Sequence, residues 1–269
     1  MTLDGTALPP GGEARQPNDG PIDASAYDAD AGSAPAGSTT IEAVVEPTAM
    51  IFDLDGILID TVATRIQAWQ RAFAEVGIIA DRDHLAMLVG ADGRRVVAGV
   101  GNRAGHPFGD IEADAIDRRA SEIFEGMGTD PEPLPGAVAL LTALTWGGFP
   151  WAIATSRRGP HVSRSVDALG LPARPAIVDG SQAVRAEPAP DLLLSAVTRL
   201  GTPAYSTWSI GATSWDMIAA RAAGVAGIGV ASGTATGEVL RAAGARAVVD
   251  DLHELHEELS RRGLVAGGA

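Results

Sequence analysis

With 269 residues and 46% apolar content, the chain can bury a sizeable core, either as one large domain or as a core with a lid. Its 20 basic residues, all arginine, face 34 acids for a net charge of −14; such a surface repels nucleic acid and anionic membrane, and neither is an expected partner. The sequence has no cysteine, which excludes disulfides, zinc-thiolate sites and thiol nucleophiles, and no apolar run approaches the roughly 18 residues of a membrane span.

Residues 1–47 carry 8 acids against one arginine, with 6 Gly and 6 Pro. Such a segment cannot bury enough surface to offset its ordering entropy, so a disordered acidic tail is predicted. It would serve as a solubilising extension, or as an arm that docks a protein partner through Ile41-Glu42-Ala43-Val44-Val45. No basic start leads into an apolar segment, and the expected location is the cytoplasm.

From Ala49 onward, short apolar runs alternate with amphipathic stretches, the pattern of a parallel sheet covered on both faces. Strands are predicted at 49–54, 150–155, 176–178, 208–210, 227–230 and 247–249. Between the first two lies a long helical stretch, with Ile66, Trp69, Phe73 and Val76 at spacings of three and four, then Ile116, Ile123 and Phe124. It is too long for one crossover. The fold class is therefore α/β: a Rossmann-like parallel sheet core over 48–65 and 134–262, with an inserted all-helical cap over 66–133. Pro131-Glu132-Pro133-Leu134-Pro135-Gly136 closes the insert, and 263–269 form a flexible C-terminus.

The first strand ends in Asp53-Leu54-Asp55-Gly56. Ligands bind at strand ends of doubly wound sheets, and packing alone would not put two acids there. One carboxylate can attack phosphorus while the other protonates the leaving oxygen. Gly56 allows a sharp turn that brings backbone N–H groups toward a phosphate. Two other features invite weaker readings. His253 and His256 have metal-ligand spacing, but Leu252, Leu255 and Leu259 explain that helix as one packing an apolar face. His161 reads as an exposed helix-start residue.

The run Asp53-Leu54-Asp55-Gly56-Ile57-Leu58-Ile59-Asp60-Thr61 resembles the first motif of the haloacid dehalogenase superfamily, in its phosphoglycolate phosphatase and β-phosphoglucomutase branch. Thr155-Ser156 resembles the second motif, Glu187-Pro188-Ala189-Pro190-Asp191 the third, and Gly211-Ala212-Thr213-Ser214-Trp215-Asp216 the fourth. The resemblance implies a magnesium-dependent phosphatase of small phosphorylated metabolites. Asp53 would be the nucleophile, and Asp55 the general acid and base. Gly56, Thr155 and Ser156 would bind phosphate; Asp53, the Asp55 carbonyl and Asp216 would hold magnesium; and Gly93 and Arg94 of the cap would face substrate.

Two positions depart from the family pattern. Glu187 stands where the family has a lysine that neutralises the phosphate, and Ala212 stands where it has a metal-binding aspartate. Losing one charge-stabilising donor costs about 10² to 10³ in rate, and at Glu187 the sign is reversed as well. Arginine forks suit phosphate, so Arg185, Arg157 or Arg158 could supply the missing cation. Glu187 could instead act as a metal ligand or pair with an arginine. Two functions stay open: an attenuated phosphatase, and a catalytically inactive binding or scaffold protein.

Overall fold

The computed structural model describes residues 40–157, 160–183, 185 and 187–266; most of the predicted tail, Arg158 and the last three residues lie outside the described residues. Six strands, β1 (Ala49–Phe52), β2 (Trp151–Ala154), β3 (Ala176–Val178), β4 (Thr207–Gly211), β5 (Ala226–Val230) and β6 (Ala247–Val249), form one parallel sheet in the order β3-β2-β1-β4-β5-β6. All four residues of β1 are buried, as expected of a central strand covered on both faces. The sequence prediction overruns slightly, because Leu54 and Thr155 already belong to the turns that leave the sheet.

Alternate residues of β1 point into different cores. Met50 and Phe52 pack with Leu140, Leu141 and Leu144 of α5 (Ala137–Trp146) and with Leu255 and Leu259 of α10 (Leu252–Arg261). Ile51 packs on the other side with Leu192, Leu193 and Ala196 of α7 (Asp191–Leu200) and with Ala219 and Ala220 of α8 (Ser214–Ala223). Strand order reverses at β1, which lies between β2 and β4. The crevice at such a reversal opens at the carboxyl ends of the strands, where Asp53 follows β1 and Ala212 follows β4.

Four helices, α1 (Val62–Glu75), α2 (Arg82–Leu88), α3 (Gly93–Ala104) and α4 (Asp110–Gly126), close a separate apolar cluster around Ile66, Trp69, Phe73, Leu85, Val97 and Ile116. Trp69 and Phe73 stack with ring centroids 5.7 Å apart. Val76, the fourth residue of the predicted stripe, is 47% exposed, because the helix ends at Glu75. Among the described residues no helix is long and apolar enough to cross a membrane.

Residues 40–47 correct the predicted tail boundary. Ile41 and Val44 are buried in the main core, so they are not free to dock a partner. The Trp208 indole N–H donates to the Val45 carbonyl at 2.9 Å. Arg262 donates to the carbonyls of Ile41 at 2.6 Å and Val44 at 3.1 Å while its Nε bonds buried Glu258 at 2.6 Å. Composition averaged over the first 47 residues hides this segment, since its two anchoring side chains sit among polar residues. The two histidines of α10 divide between faces: His256 is buried and His253 is exposed. Arg262→Ala removes the clamp and one of the two arginines that pair with Glu258. The expected loss is about 2–3 kcal/mol, read as a lower Tm with faster proteolytic cleavage within 40–47; unchanged melting and cleavage would mean that the segment is held by packing alone.

Candidate active site

The chain leaves β1 through a tight turn. Leu54 accepts hydrogen bonds at its carbonyl from the N–H groups of Leu58 and Ile59, and the Gly56 N–H donates to the Ile59 carbonyl at 2.9 Å. Gly56 has φ +78°, and a Cβ there would lie 2.8 Å from Val62 Cγ2, so only glycine suits both backbone and neighbour. Its own N–H is engaged inside the turn, which corrects the expectation that it faces phosphate. Leu54, Ile57, Leu58 and Ile59 are buried and anchor the turn, while Asp53 and Asp55 stay partly open. Asp55 Oδ1 accepts from the Thr61 hydroxyl and from Arg157 Nη1, the latter at 3.1 Å. Its Oδ2 carries no hydrogen bond among the described residues.

Three further groups from separate segments meet here. Thr155, just past β2, is buried, and its hydroxyl accepts from the Arg157 N–H at 3.3 Å; Ser156 beside it is half-buried. Asp216 closes a capping box at the start of α8: Oδ2 accepts from the Ala212 N–H at 3.0 Å, the Thr213 N–H at 2.8 Å and the Thr213 hydroxyl at 2.7 Å. Glu187 is buried and, among the described residues, pairs with no arginine. Of the arginines considered for it, Arg157 bonds Asp55 and Arg185 bonds Asp191, and Arg158 lies outside the described residues.

These acids repel one another. Burial, then the charges of Asp216, Glu187 and Asp55, push the Asp53 carboxyl well above the ordinary range, against a backbone N–H from Leu54. Burial and then Asp216 push Glu187 up in the same way. Asp216 is also raised by burial, with the Thr213 and Ala212 donors pulling it back. Burial lowers the Arg157 pKa against the opposing charge of Asp55.

Several expected positions lie elsewhere. Arg185 is exposed and forks onto Asp191, with Nη2 to Oδ1 at 2.8 Å, so it turns away from the acids because a nearer carboxylate holds it. Arg94 pairs with Asp114 of α4 through two bonds of 2.6 and 2.7 Å. Gly93 packs on Asp117, where a Cβ would come within 2.1 Å of Cγ. Both therefore face the cap's own fourth helix. The neighbouring residues reach the core instead: the Asp92 N–H donates to the Glu187 carbonyl at 3.3 Å, the Trp215 indole donates to the Met87 carbonyl at 3.1 Å, and Arg95 lies over the Trp215 ring. Neither Arg95 nor Phe124, which receives Arg157 on its ring at 5.1 Å, was singled out for the site by the sequence. Phe124 reads there as one more helix-periodic apolar residue.

Among the described residues no three histidine, aspartate or glutamate side chains are arranged to hold a metal by themselves. Magnesium needs fewer, since one or two carboxylates with phosphate and water suffice. The three carboxyl groups that act on Asp53, those of Asp216, Glu187 and Asp55, form with it an environment that a divalent cation relieves. Asp53 and the Oδ1 of Asp216, which has no hydrogen bond among the described residues, offer hard oxygens for it. The residues present fit the ion. Ala212 contributes nothing to it: its side chain is 2% exposed and packed in the apolar core.

Residues 50–230 match the family described as haloacid dehalogenase-like hydrolase. A protein named probable phosphatase IndB, from Dickeya dadantii, is 30% identical over 77% of this chain and 90% of its own length. A phosphoglycolate phosphatase from Rhodospirillum rubrum is 29% identical over 79% of this chain and 91% of its own. The crystal structure of a hydrolase from Pseudomonas syringae superposes with TM-score 0.74 at 30% identity, covering 79% of this chain and 98% of that one.

Glu187→Gln tests the crowding. Because the folded protein holds the Glu187 proton longer than the unfolded chain does, stability falls as pH rises from the ordinary value of 4.5 toward the raised folded value. The variant is expected to melt above wild type at about pH 8, with the gain shrinking toward about pH 5. Thermal melts across that range would contradict this if the difference did not change with pH.

Proposed function

The chain belongs to the haloacid dehalogenase-like hydrolase family, and on that premise we propose that it falls in the phosphoglycolate phosphatase branch and is a phosphatase of small phosphorylated metabolites acting through an aspartyl-phosphate at Asp53. The observation that carries this reading is the turn after β1, which presents two carboxylates at one mouth. Asp55 there is held by Thr61 and Arg157 through one oxygen only.

In the first step an Asp53 oxygen attacks phosphorus as the bond to the ester oxygen breaks, and the leaving alkoxide takes a proton from Asp55. In the second, water attacks the phosphoryl group and gives a proton to Asp55, which returns Asp53 as a carboxylate and releases phosphate. Oδ2 of Asp55 is the atom available for both transfers. Thr61, through its bond to Oδ1, fixes the direction in which Oδ2 points. The Thr155 hydroxyl, the Ser156 segment and the backbone after β2 take phosphate oxygens.

Magnesium would be held by Asp53, the Asp55 carbonyl and Asp216, and when bound it supplies positive charge against the phosphate and the crowded acids. The contacts of Asp92 and Met87 with core residues keep the cap over the site and exclude water. A cavity of about 280 Å³ lined by Asp60, Thr61, Phe124, Arg157 and Ser165 adjoins the site through Thr61 and Arg157, while Asp53, Asp55, Thr155, Glu187 and Asp216 do not line it. The second reading, a binding or scaffold protein on the same fold, is favoured by buried Glu187 in the lysine position.

Phosphate release from a panel of sugar and short-chain phosphates with magnesium decides between them. Wild type is expected to turn over, and Asp53→Asn to lose about 10³-fold or more in kcat. Silence of wild type on the whole panel, with no phosphoenzyme trapped by borohydride, would leave the scaffold reading. Glu187→Lys restores a cation and is expected to raise kcat by about 10², measured on the best substrate of the panel; a drop in kcat would show that Glu187 has acquired a role of its own.

A further inference from the structure

We propose that Arg157 is the cation that neutralises the transferring phosphoryl group in this chain, and that Phe124 of the cap holds it in position; the assignment rests on the aspartyl-phosphate reading above. Arg157 is the one arginine among the described residues that is buried, with its side chain 7% exposed. Its backbone is fixed on both sides. The N–H donates to the Thr155 hydroxyl at 3.3 Å, and the carbonyl accepts from the Gly180 N–H at 2.8 Å. The guanidinium therefore starts from the same loop that carries the proposed phosphate-binding hydroxyl.

A guanidinium has five N–H donors in a planar fork. Here Nη1 serves Asp55 Oδ1 at 3.1 Å and Ser165 Oγ at 3.2 Å, while Nε and Nη2 have no partner among the described residues. The side chain lines the cavity that also contains Thr61 and Phe124. It also senses the charge of Asp53 as well as that of Asp55. The three N–H donors on Nε and Nη2 of a buried fork already bonded to the acid, two residues from the nucleophile in sequence, are what a phosphoryl oxygen requires. Arg157 can keep Nη1 on Asp55 and offer Nη2 and Nε to the phosphate, which aligns the acid with the leaving group.

The competing arginines are less suited. Arg185 is bound to Asp191 at the surface, and Arg164 is exposed. Arg65 of α1 lies over Phe124 at 5.4 Å and makes no bond to Asp55. Phe124 itself, on α4, receives Arg157 on its ring at 5.1 Å, and a cation over an aromatic face is held in both place and tilt. Since Phe124 belongs to the cap and Arg157 to the core, the cation is aligned only while the cap is seated. Phe124 is thus a positioning residue.

The test uses the full chain and the best phosphate ester of the panel. Arg157→Ala is expected to lower kcat by about 10² to 10³, and added guanidinium ion to restore part of it, with no effect on Asp53→Asn. Arg157→Gln, which can keep the Asp55 and Ser165 hydrogen bonds, is expected to fold like wild type and still lose the rate. Phe124→Leu is expected to lower kcat several-fold with KM unchanged, and Phe124→Tyr to recover it. Wild-type kcat in Arg157→Ala, or a folded Arg157→Ala that guanidinium does not restore, would overturn the assignment. Binding of tungstate, measured by calorimetry, separates this from failure of the phosphatase reading. If wild type turns over nothing, tenfold weaker tungstate binding by Arg157→Gln still supports the arginine, and equal binding overturns it.

Discussion

Four carboxyl groups, Asp53, Asp55, Asp216 and Glu187, share one mouth at the carboxyl edge of a parallel sheet, and one guanidinium is buried with them. Self-repulsion in a space of low polarity is the condition that the surrounding structure must answer. The answers are local. Asp216 is held by three donors at a helix start, and Asp55 by a hydroxyl and an arginine. Asp53 and Glu187 have no comparable set among the described residues, and burial, then the neighbouring acids, raises their proton affinities. Buried carboxyl groups left in this state are a cost in stability that a folded domain tolerates mainly where chemistry or ligand binding uses them.

The sheet determines which groups can meet. Strand order reverses at β1, so the segments after β1, β2 and β4 converge although they are far apart in sequence. The cap then closes the set from above through contacts that involve the same loops. The Asp92 N–H reaches the Glu187 carbonyl, and Trp215, one residue before Asp216, donates to the Met87 carbonyl. Even the backbone approach is tight: a Cβ on Gly90 would lie 3.0 Å from Thr213, the residue that caps Asp216. Cap placement and acid placement are therefore mechanically linked through the loop between β4 and α8.

The strands and the helical insert were legible in the sequence because burial on both faces writes continuous apolar runs, and a helix packing one face writes spacings of three and four. The strand-end position of Asp53 and Asp55 was legible for a related reason, since they are acids where an apolar strand ends; Thr155 was placed only by its resemblance to the second family motif. Arg94 and Arg185 were misread, because sequence proximity to a loop says nothing of direction, and each had a closer carboxylate, Asp114 and Asp191. Residues 41–47 were misread because two buried side chains and a few main-chain carbonyls leave almost no trace in composition. Arg157 was legible only as one of three candidates. Its burial depends on Phe124, Ser165 and Asp55, which lie on three different segments.

The two departures from the family pattern have to be weighed together. Against that pattern Ala212 removes a carboxylate, while Glu187 adds one and removes a lysine. The number of acids around the nucleophile is thus unchanged: one has moved from the end of β4 to the loop before α7, and what has been lost is a cation. Ala212 sits in the apolar core with Gly233 so close that a Cβ added there would lie 2.7 Å from its own, which leaves little room for a returning carboxylate. The lysine's charge has a different remedy, because charge need not come from the same segment to act at the same point. A guanidinium bonded to Asp55 and within the field of Asp53 delivers it from the loop after β2. The chemistry of such a site depends on the sum of charge at the phosphoryl group and on the direction of its donors, and in a chain with no lysine arginine is the side chain that carries a permanent positive charge to it.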